Sequence, residues 1–252
     1  MEIYYSIMAF VFGTLLGSFY NVVGYRIPKG ISIVKPKDSF CPKCKHSLKW
    51  YELIPILSFL IQKGKCRECK CKISLFYPCI EFLTGILFVL SYVKFGFTPE
   101  FLISIIIASF FVIVIVSDIN YLIIPDEVTI FFSALIIIIN FVFYNLEFGI
   151  NSILHGFLMF IVMYLIMLAG NFIFKKESLG GGDIKLMFFV GLILSPTNGL
   201  FQIFLSSVLA LPSSIYIYNK KKKKIIPFGP FMLLSLFIIY ILQIDIISLL
   251  IK

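Results

Sequence analysis

Apolar runs of membrane length recur along almost the whole chain, and they leave few folds open to it. They are Ile3 to Tyr25, Pro78 to Val93, Phe101 to Ser117, Val128 to Tyr144, Ile153 to Phe174, Ile184 to Leu194, Leu200 to Tyr218 and Phe228 to Leu250. A helix needs about 20 apolar residues to cross a bilayer, and in hydrocarbon its backbone must satisfy its own hydrogen bonds. The pattern predicts an all-α polytopic membrane protein of about eight transmembrane helices, the sixth being short. The composition agrees, with 60% hydrophobic residues and 14% charged, against about 25% charged in a soluble domain. The 29 Phe and 13 Tyr suit lipid-facing helices with interfacial aromatic belts. The first run lacks a basic n-region and a small-residue cleavage site, so it reads as a retained helix and not a signal peptide. Gly13, Gly17 and Gly24 within it suit close helix packing. No internal repeat is evident.

Net charge is +9, and its placement gives an orientation. Arg26 to Lys72, Lys175-Lys176 and Lys220 to Lys224 hold most of the cations, each beside an apolar segment. Nucleic-acid binding is therefore not expected; the clusters are topogenic. Strict alternation of eight crossings puts all three clusters on one side. Lys94 is the lone lysine of the opposite loops. The expectation is a multi-pass membrane protein, N-terminus outside, with basic loops in the cytoplasm. The chain divides into a first transmembrane helix (1–25), a cytoplasmic insertion (26–76) and a membrane core (77–252).

The insertion contains Cys41-Pro-Lys-Cys44 and Cys66-Arg-Glu-Cys69. Two CxxC pairs at this spacing predict one tetrahedral Zn²⁺ held by Cys41, Cys44, Cys66 and Cys69. The metal would supply folding free energy that so small a polar loop cannot gain from apolar burial. Two disulfides are the competing reading, and the basic, cytoplasmic character of the loop favours reduced thiols. Cys71 and Cys79 are left over and read as inert, and His46 as a surface histidine. The glycines usual after the second cysteine of such a knuckle are here Lys45 and Lys70.

Gly180-Gly181-Gly182-Asp183-Ile184-Lys185 places a carboxylate at the mouth of an apolar run, directly behind three glycines. A carboxylate near the middle of a membrane helix costs about 2.5–3.5 kcal/mol on insertion scales, which makes it a functional candidate. Glycines permit positive φ and close approach of another backbone, as a protease pairing with an extended substrate requires. The alternative is a turn with Asp183 as N-cap. Asp118, in Ser117-Asp118-Ile119-Asn120, falls at the same membrane level at the end of the third run. Two aspartates meeting there would share one proton, giving an acid and a base near neutral pH. That is an aspartyl-protease arrangement. Lys185 would bias the charge of Asp183 or snorkel to the interface. Asp126, after Pro125, reads as the cap of the fourth helix. Glu81 would orient the insertion, and Asp245 and His155 have structural readings near the outer surface.

Together these residues resemble the type IV prepilin peptidase family, bacterial membrane aspartyl proteases with a Gly-X-Gly-Asp motif. The resemblance covers nearly the whole chain. It is carried by Gly17-Ser18-Phe19-Tyr20-Asn21-Val22-Val23 with Tyr25-Arg26-Ile27-Pro28, and by the tetracysteine loop with Glu52-Leu53-Ile54-Pro55-Ile56-Leu57-Ser58 and Gly64. Ile73-Ser74, Tyr77-Pro78 and Glu81, Asp118 in an Asp-x6-Pro-Asp pattern, Gly180-Gly181-Gly182-Asp183 and Pro227-Phe228-Gly229-Pro230 complete it. The resemblance implies that Asp118 and Asp183 are the catalytic pair. It implies prepilin and pseudopilin substrates whose basic leader is cut at the cytoplasmic face, after a glycine. It also implies N-methylation of the new N-terminus with S-adenosylmethionine, although no glycine-rich methyltransferase fingerprint accompanies the motifs. Membrane lipids are expected partners, and the oligomeric state is left open. Two other readings stand beside it: a methyltransferase with structural aspartates, and a transporter or assembly scaffold with a zinc-ribbon docking loop.

Overall fold

The computed structural model describes residues 1–35, 39–41, 43–176, 179–221 and 226–250; of the five-lysine run, Lys222 to Lys224 lie outside the described residues. The chain divides into two compact units, Met1–Phe97 and Thr98–Lys252.

The first unit pairs α1 (Glu2–Arg26) with α3 (Phe76–Phe95), and the short α2 (Leu57–Ile61) lies in the insertion between them. Small residues let the two long helices touch. A Cβ on Gly17 would meet Thr84 Oγ1 at 2.7 Å and Glu81 Cα at 2.9 Å, and one on Gly13 would meet Gly85 Cα at 2.9 Å. With no difference in polarity between lipid and side chain to drive association, such close packing is what holds membrane helices together. Glu81 does orient the insertion: its carboxylate accepts the Ile56 amide at 2.7 Å, at a residue held at φ 62.

The second unit is built around α4 (Pro99–Tyr121), with α5 (Asp126–Ile139, extended by a π turn Asn140–Tyr144), α6 (Leu146–Phe174), α7 (Gly181–Gly191), α8 (Pro196–Lys221), α9 (Gly229–Leu242) and α10 (Ile246–Leu250). Helix α4 is the core: Ile107, Ala108, Phe110, Val112 and Val114 are wholly buried. Phe110 stacks on Phe132 of α5 at 5.2 Å and meets Phe189 of α7 edge-on at 4.8 Å. Buried polar bonds fix neighbours away from water. Gln202 of α8 donates to the Met232 carbonyl at 2.6 Å, and Asn140 to the Leu192 carbonyl at 3.1 Å.

The all-helical membrane architecture is as expected, but the described residues do not contain eight helices of spanning length. Among the described residues six helices are long and apolar enough to span. Helix α7 has 11 residues, about 16 Å of rise, against a hydrocarbon core of about 30 Å. It begins within the glycines, at Gly181 with Gly180 as N-cap, and ends at Gly191, before the turn that leads to Pro196. Helix α9 has 14 residues and ends where Gln243 turns left-handed at φ 50. Asp245 then accepts the Ile247 amide at 3.2 Å at the start of α10, so this acid serves the chain break.

Candidate active site and thiolate cluster

Asp118 lies one turn from the end of α4, where Leu122 adopts a left-handed conformation and its amide returns to the Asp118 carbonyl at 2.9 Å. The Asp118 side chain is buried, 6% exposed, and accepts the backbone amide of Gly229 at the start of α9. Asp183 occupies the first turn of α7, with Gly180 as N-cap. It is therefore not the cap itself; its carboxylate reaches back to the Gly180 amide, the acidic half of a capping box. Asp183 also feels the charge of Asp118 directly.

One side chain joins the two environments. Ile124 follows the left-handed turn, and a Cβ on Gly182 would meet its Cβ at 3.1 Å. On the other side, a Cβ on Gly229 would meet Ile124 Cδ1 at 2.8 Å and Asp118 Oδ2 at 3.2 Å. Gly182 and Gly229 are thus small because Ile124 and the Asp118 carboxylate fill their space. None of Gly180, Gly181 and Gly182 takes a positive φ, contrary to one reason for expecting glycine here. What the triplet provides is room: a Cβ on Gly181 would meet nothing within 4 Å. Gly229 was not singled out from sequence as a donor to Asp118. The only signal is its place in Pro227-Phe228-Gly229-Pro230, at a helix N-terminus whose free amides favour an anion.

Lys185 pairs with Asp126 of α5. Its Nζ lies 2.6 and 2.7 Å from the two oxygens of Asp126, because two positions along α7 from Asp183 turn the side chain to the other face, toward α5. Asp126 is the first residue of α5, after the N-cap Pro125, and its carboxylate is the partner of Lys185. His155 packs elsewhere on α6, its carbonyl set against Gly191 of α7.

In the first unit the insertion brings Cys41, Cys66, Cys69 and Cys71 together, all four sulfurs within 4.8 Å of one another. Sulfur separations of 3.9 Å for Cys41–Cys69 and 3.7 Å for Cys41–Cys71 fit a tetrahedron of Zn–S bonds about 2.3 Å long. Cys44 lies 3.9 Å from Cys66. Cys71, expected to be inert, is therefore part of the cluster, while Cys79 is exposed outside it. The amide of Cys44 favours the Cys41 thiolate and holds that thiol down to about 6. The His46 amide does the same for Cys44, but desolvation and three adjacent sulfurs outweigh it and push Cys44 up to about 11. So many thiolates cannot ionise together without a cation. His46 faces Glu52 at 3.2 Å, and Glu52 also accepts the Lys49 amide at 3.0 Å. Burial by itself would raise Glu52, but the Lys49 amide, His46 and Arg67 hold its carboxyl below the usual range.

Known proteins are similar over the same extent. Residues 11–95 match the profile of the bacterial peptidase A24 N-terminal domain, and residues 105–215 that of the type IV leader peptidase family. A prepilin leader peptidase/N-methyltransferase of Bacillus subtilis (strain 168) is 36% identical over 96% of this chain and 96% of its own. One from Vibrio cholerae is 31% identical, covering 95% and 98%, and one from Neisseria gonorrhoeae 30%, covering 92% and 89%. No solved structure matches the chain.

Proposed function

Because the chain belongs to the type IV leader peptidase family, we propose that it removes the leader from type IV prepilins and pseudopilins and then N-methylates the new terminus. Asp118 and Asp183 are the catalytic pair in this reading. The observation that carries it is the packing of Ile124 against both Gly182, next to Asp183, and Gly229, whose Cα side faces the Asp118 carboxylate, so that two carboxylates from different helices share one neighbourhood.

The ionised aspartate takes a proton from water, whose oxygen attacks the scissile carbonyl. The protonated aspartate donates to the carbonyl oxygen. Collapse of the tetrahedral intermediate expels the mature amine, which leaves protonated, and the acid and base exchange roles. The Gly229 amide holds Asp118 and the Gly180 amide holds Asp183, so both are oriented before substrate arrives. The open side of Gly181 supports approach of an extended peptide there, along the Gly180-Gly181-Gly182 backbone. The apolar helix behind a prepilin leader enters laterally from the bilayer.

Orientation follows the lysine and arginine distribution: basic insertion and active site cytoplasmic, N-terminus outside, and anionic head groups drawn to the basic surface at about 1 kcal/mol per nearby cation. The cysteine cluster holds structural Zn²⁺, which crosslinks an insertion that has little core of its own. S-adenosylmethionine is the methyl donor this reading requires. Incubating purified enzyme with a prepilin and that donor should give a product lighter by the leader and heavier by one methyl group. Asp118→Asn and Asp183→Asn should each abolish cleavage while the protein still inserts and folds. Retained processing in both would end the proposal.

A further inference from the structure

The insertion contains the same knuckle twice, and the two copies differ at one telling position. Lys45 donates to the Cys41 carbonyl at 2.9 Å, and Lys70 to the Cys66 carbonyl at 3.0 Å. Cys41 donates to the His46 carbonyl at 2.9 Å, and Cys66 to the Cys71 carbonyl at 2.8 Å. Antiparallel bridges Phe40 to Ser47 and Lys65 to Lys72 close the two turns. Lys45 and Lys70 are left-handed in both, at φ 60 and 57. His46 and Cys71 therefore occupy equivalent positions, each following the left-handed residue.

Their side chains go different ways. His46 Nε2 is engaged by Glu52 at 3.2 Å, outside the sulfur cluster. Cys71 comes to 3.7 Å from Cys41 and is half-buried, whereas Cys44 is exposed. The set of sulfurs mutually close enough for one ion is Cys41, Cys66, Cys69 and Cys71. Cys44 is exposed, 3.9 Å from Cys66, and lies beside this set without belonging to it.

We propose that Cys71 is a metal ligand in this chain, completing a tetrathiolate site with Cys41, Cys66 and Cys69, with Cys44 beside it as an exchangeable fifth sulfur. The fourth coordination position then has two candidate thiolates, one on each knuckle, and losing either leaves the ion four sulfur ligands. The inference rests on the reading that the insertion binds Zn²⁺, and its test separates the two.

The intact protein, loaded with Zn²⁺, is pulsed with N-ethylmaleimide, and each cysteine is quantified by peptide mass. A zinc-bound thiolate is a poor nucleophile, so Cys71 should react about tenfold or more slowly in the loaded than in the stripped protein, with Cys44 less protected. In parallel, Cys44→Ser loaded with Co²⁺ should keep the visible spectrum of four sulfur ligands, and Cys44→Ser/Cys71→Ser should lose it. One metal per chain with Cys71 reacting equally fast in both forms, or a three-sulfur spectrum in Cys44→Ser, overturns the assignment of Cys71 and leaves the zinc reading intact. Elemental analysis that finds no metal overturns both.

Discussion

Lys185 Nζ sits 2.6 Å from Asp126 Oδ1, so the cation two residues beyond Asp183 is committed to a different carboxylate. Both side chains are about half exposed, at 49% and 56%, and exposed pairs contribute about 0–1 kcal/mol. Lys185→Met and Asp126→Asn should therefore each lower kcat/KM on a prepilin by about fivefold at most, and the double variant by no more than the worse single. Steady-state cleavage assays check this. A loss from Lys185→Met as complete as from Asp183→Asn would mean the lysine acts on the catalytic pair.

Gly229→Ala should impair cleavage far more than Gly181→Ala. The new methyl at position 229 would lie 2.8 Å from Ile124 Cδ1 and 3.2 Å from Asp118 Oδ2, while at 181 it meets open space. Displacing Asp118 from the Gly229 amide should appear in kcat, since misplacing a reacting group by about 1 Å costs on the order of a hundredfold. Equal kcat in the two variants, at equal expression and melting temperature, would contradict the packing argument.

Lys70→Gly should stabilise the insertion by about 0.5–1 kcal/mol, because a left-handed residue with a Cβ carries steric strain that glycine avoids. The chain's sole tryptophan, Trp50, is in the insertion, and its emission during denaturant unfolding reads this directly. A lowered midpoint would show that the lysine side chain contributes more than its backbone costs.

Glu52 gives a pH dependence. Its carboxyl is held below the ordinary range by the Lys49 amide, His46 and Arg67 despite burial. A depressed carboxyl contributes stability that is fully present above the unfolded value, about 4.3 for glutamate, and is lost as pH falls through the lower folded value. The stability difference between wild type and Glu52→Gln, followed at Trp50, should shrink as pH falls below about 4. A difference that grows toward acid pH would have the wrong sign.

Much of this was legible locally, and what was missed is long-range. Apolar runs announced the helices because a span needs only its own residues to be apolar. Ile184 to Leu194 already read as short, but Phe228 to Leu250 read as one span, and the chain breaks it into α9 (Gly229–Leu242) and α10 at the left-handed Gln243. CxxC spacing identified a thiolate site from neighbours in sequence. The recruitment of Cys71 depends on the second knuckle folding back to Cys41, and nothing near residue 71 encodes it. Asp118 and Asp183 stood out as carboxylates in apolar surroundings, whereas Gly229 carries no side chain to mark its amide as a donor. Lys185 was placed near Asp183 by adjacency, which on a helix does not put two side chains on one face.

Helix α6 is 29 residues long, about 43 Å of rise against roughly 30 Å of hydrocarbon, and little of it is buried by protein. It must lean or protrude, and how far depends on the acyl chains around it. Its C-terminal end leads within a few residues to Gly180 and Asp183, so hydrophobic mismatch at α6 bears on the depth of the second aspartate. Lipid thickness thereby becomes a control parameter for turnover: vesicles of stepped phosphatidylcholine chain length should give a rate optimum instead of a flat profile.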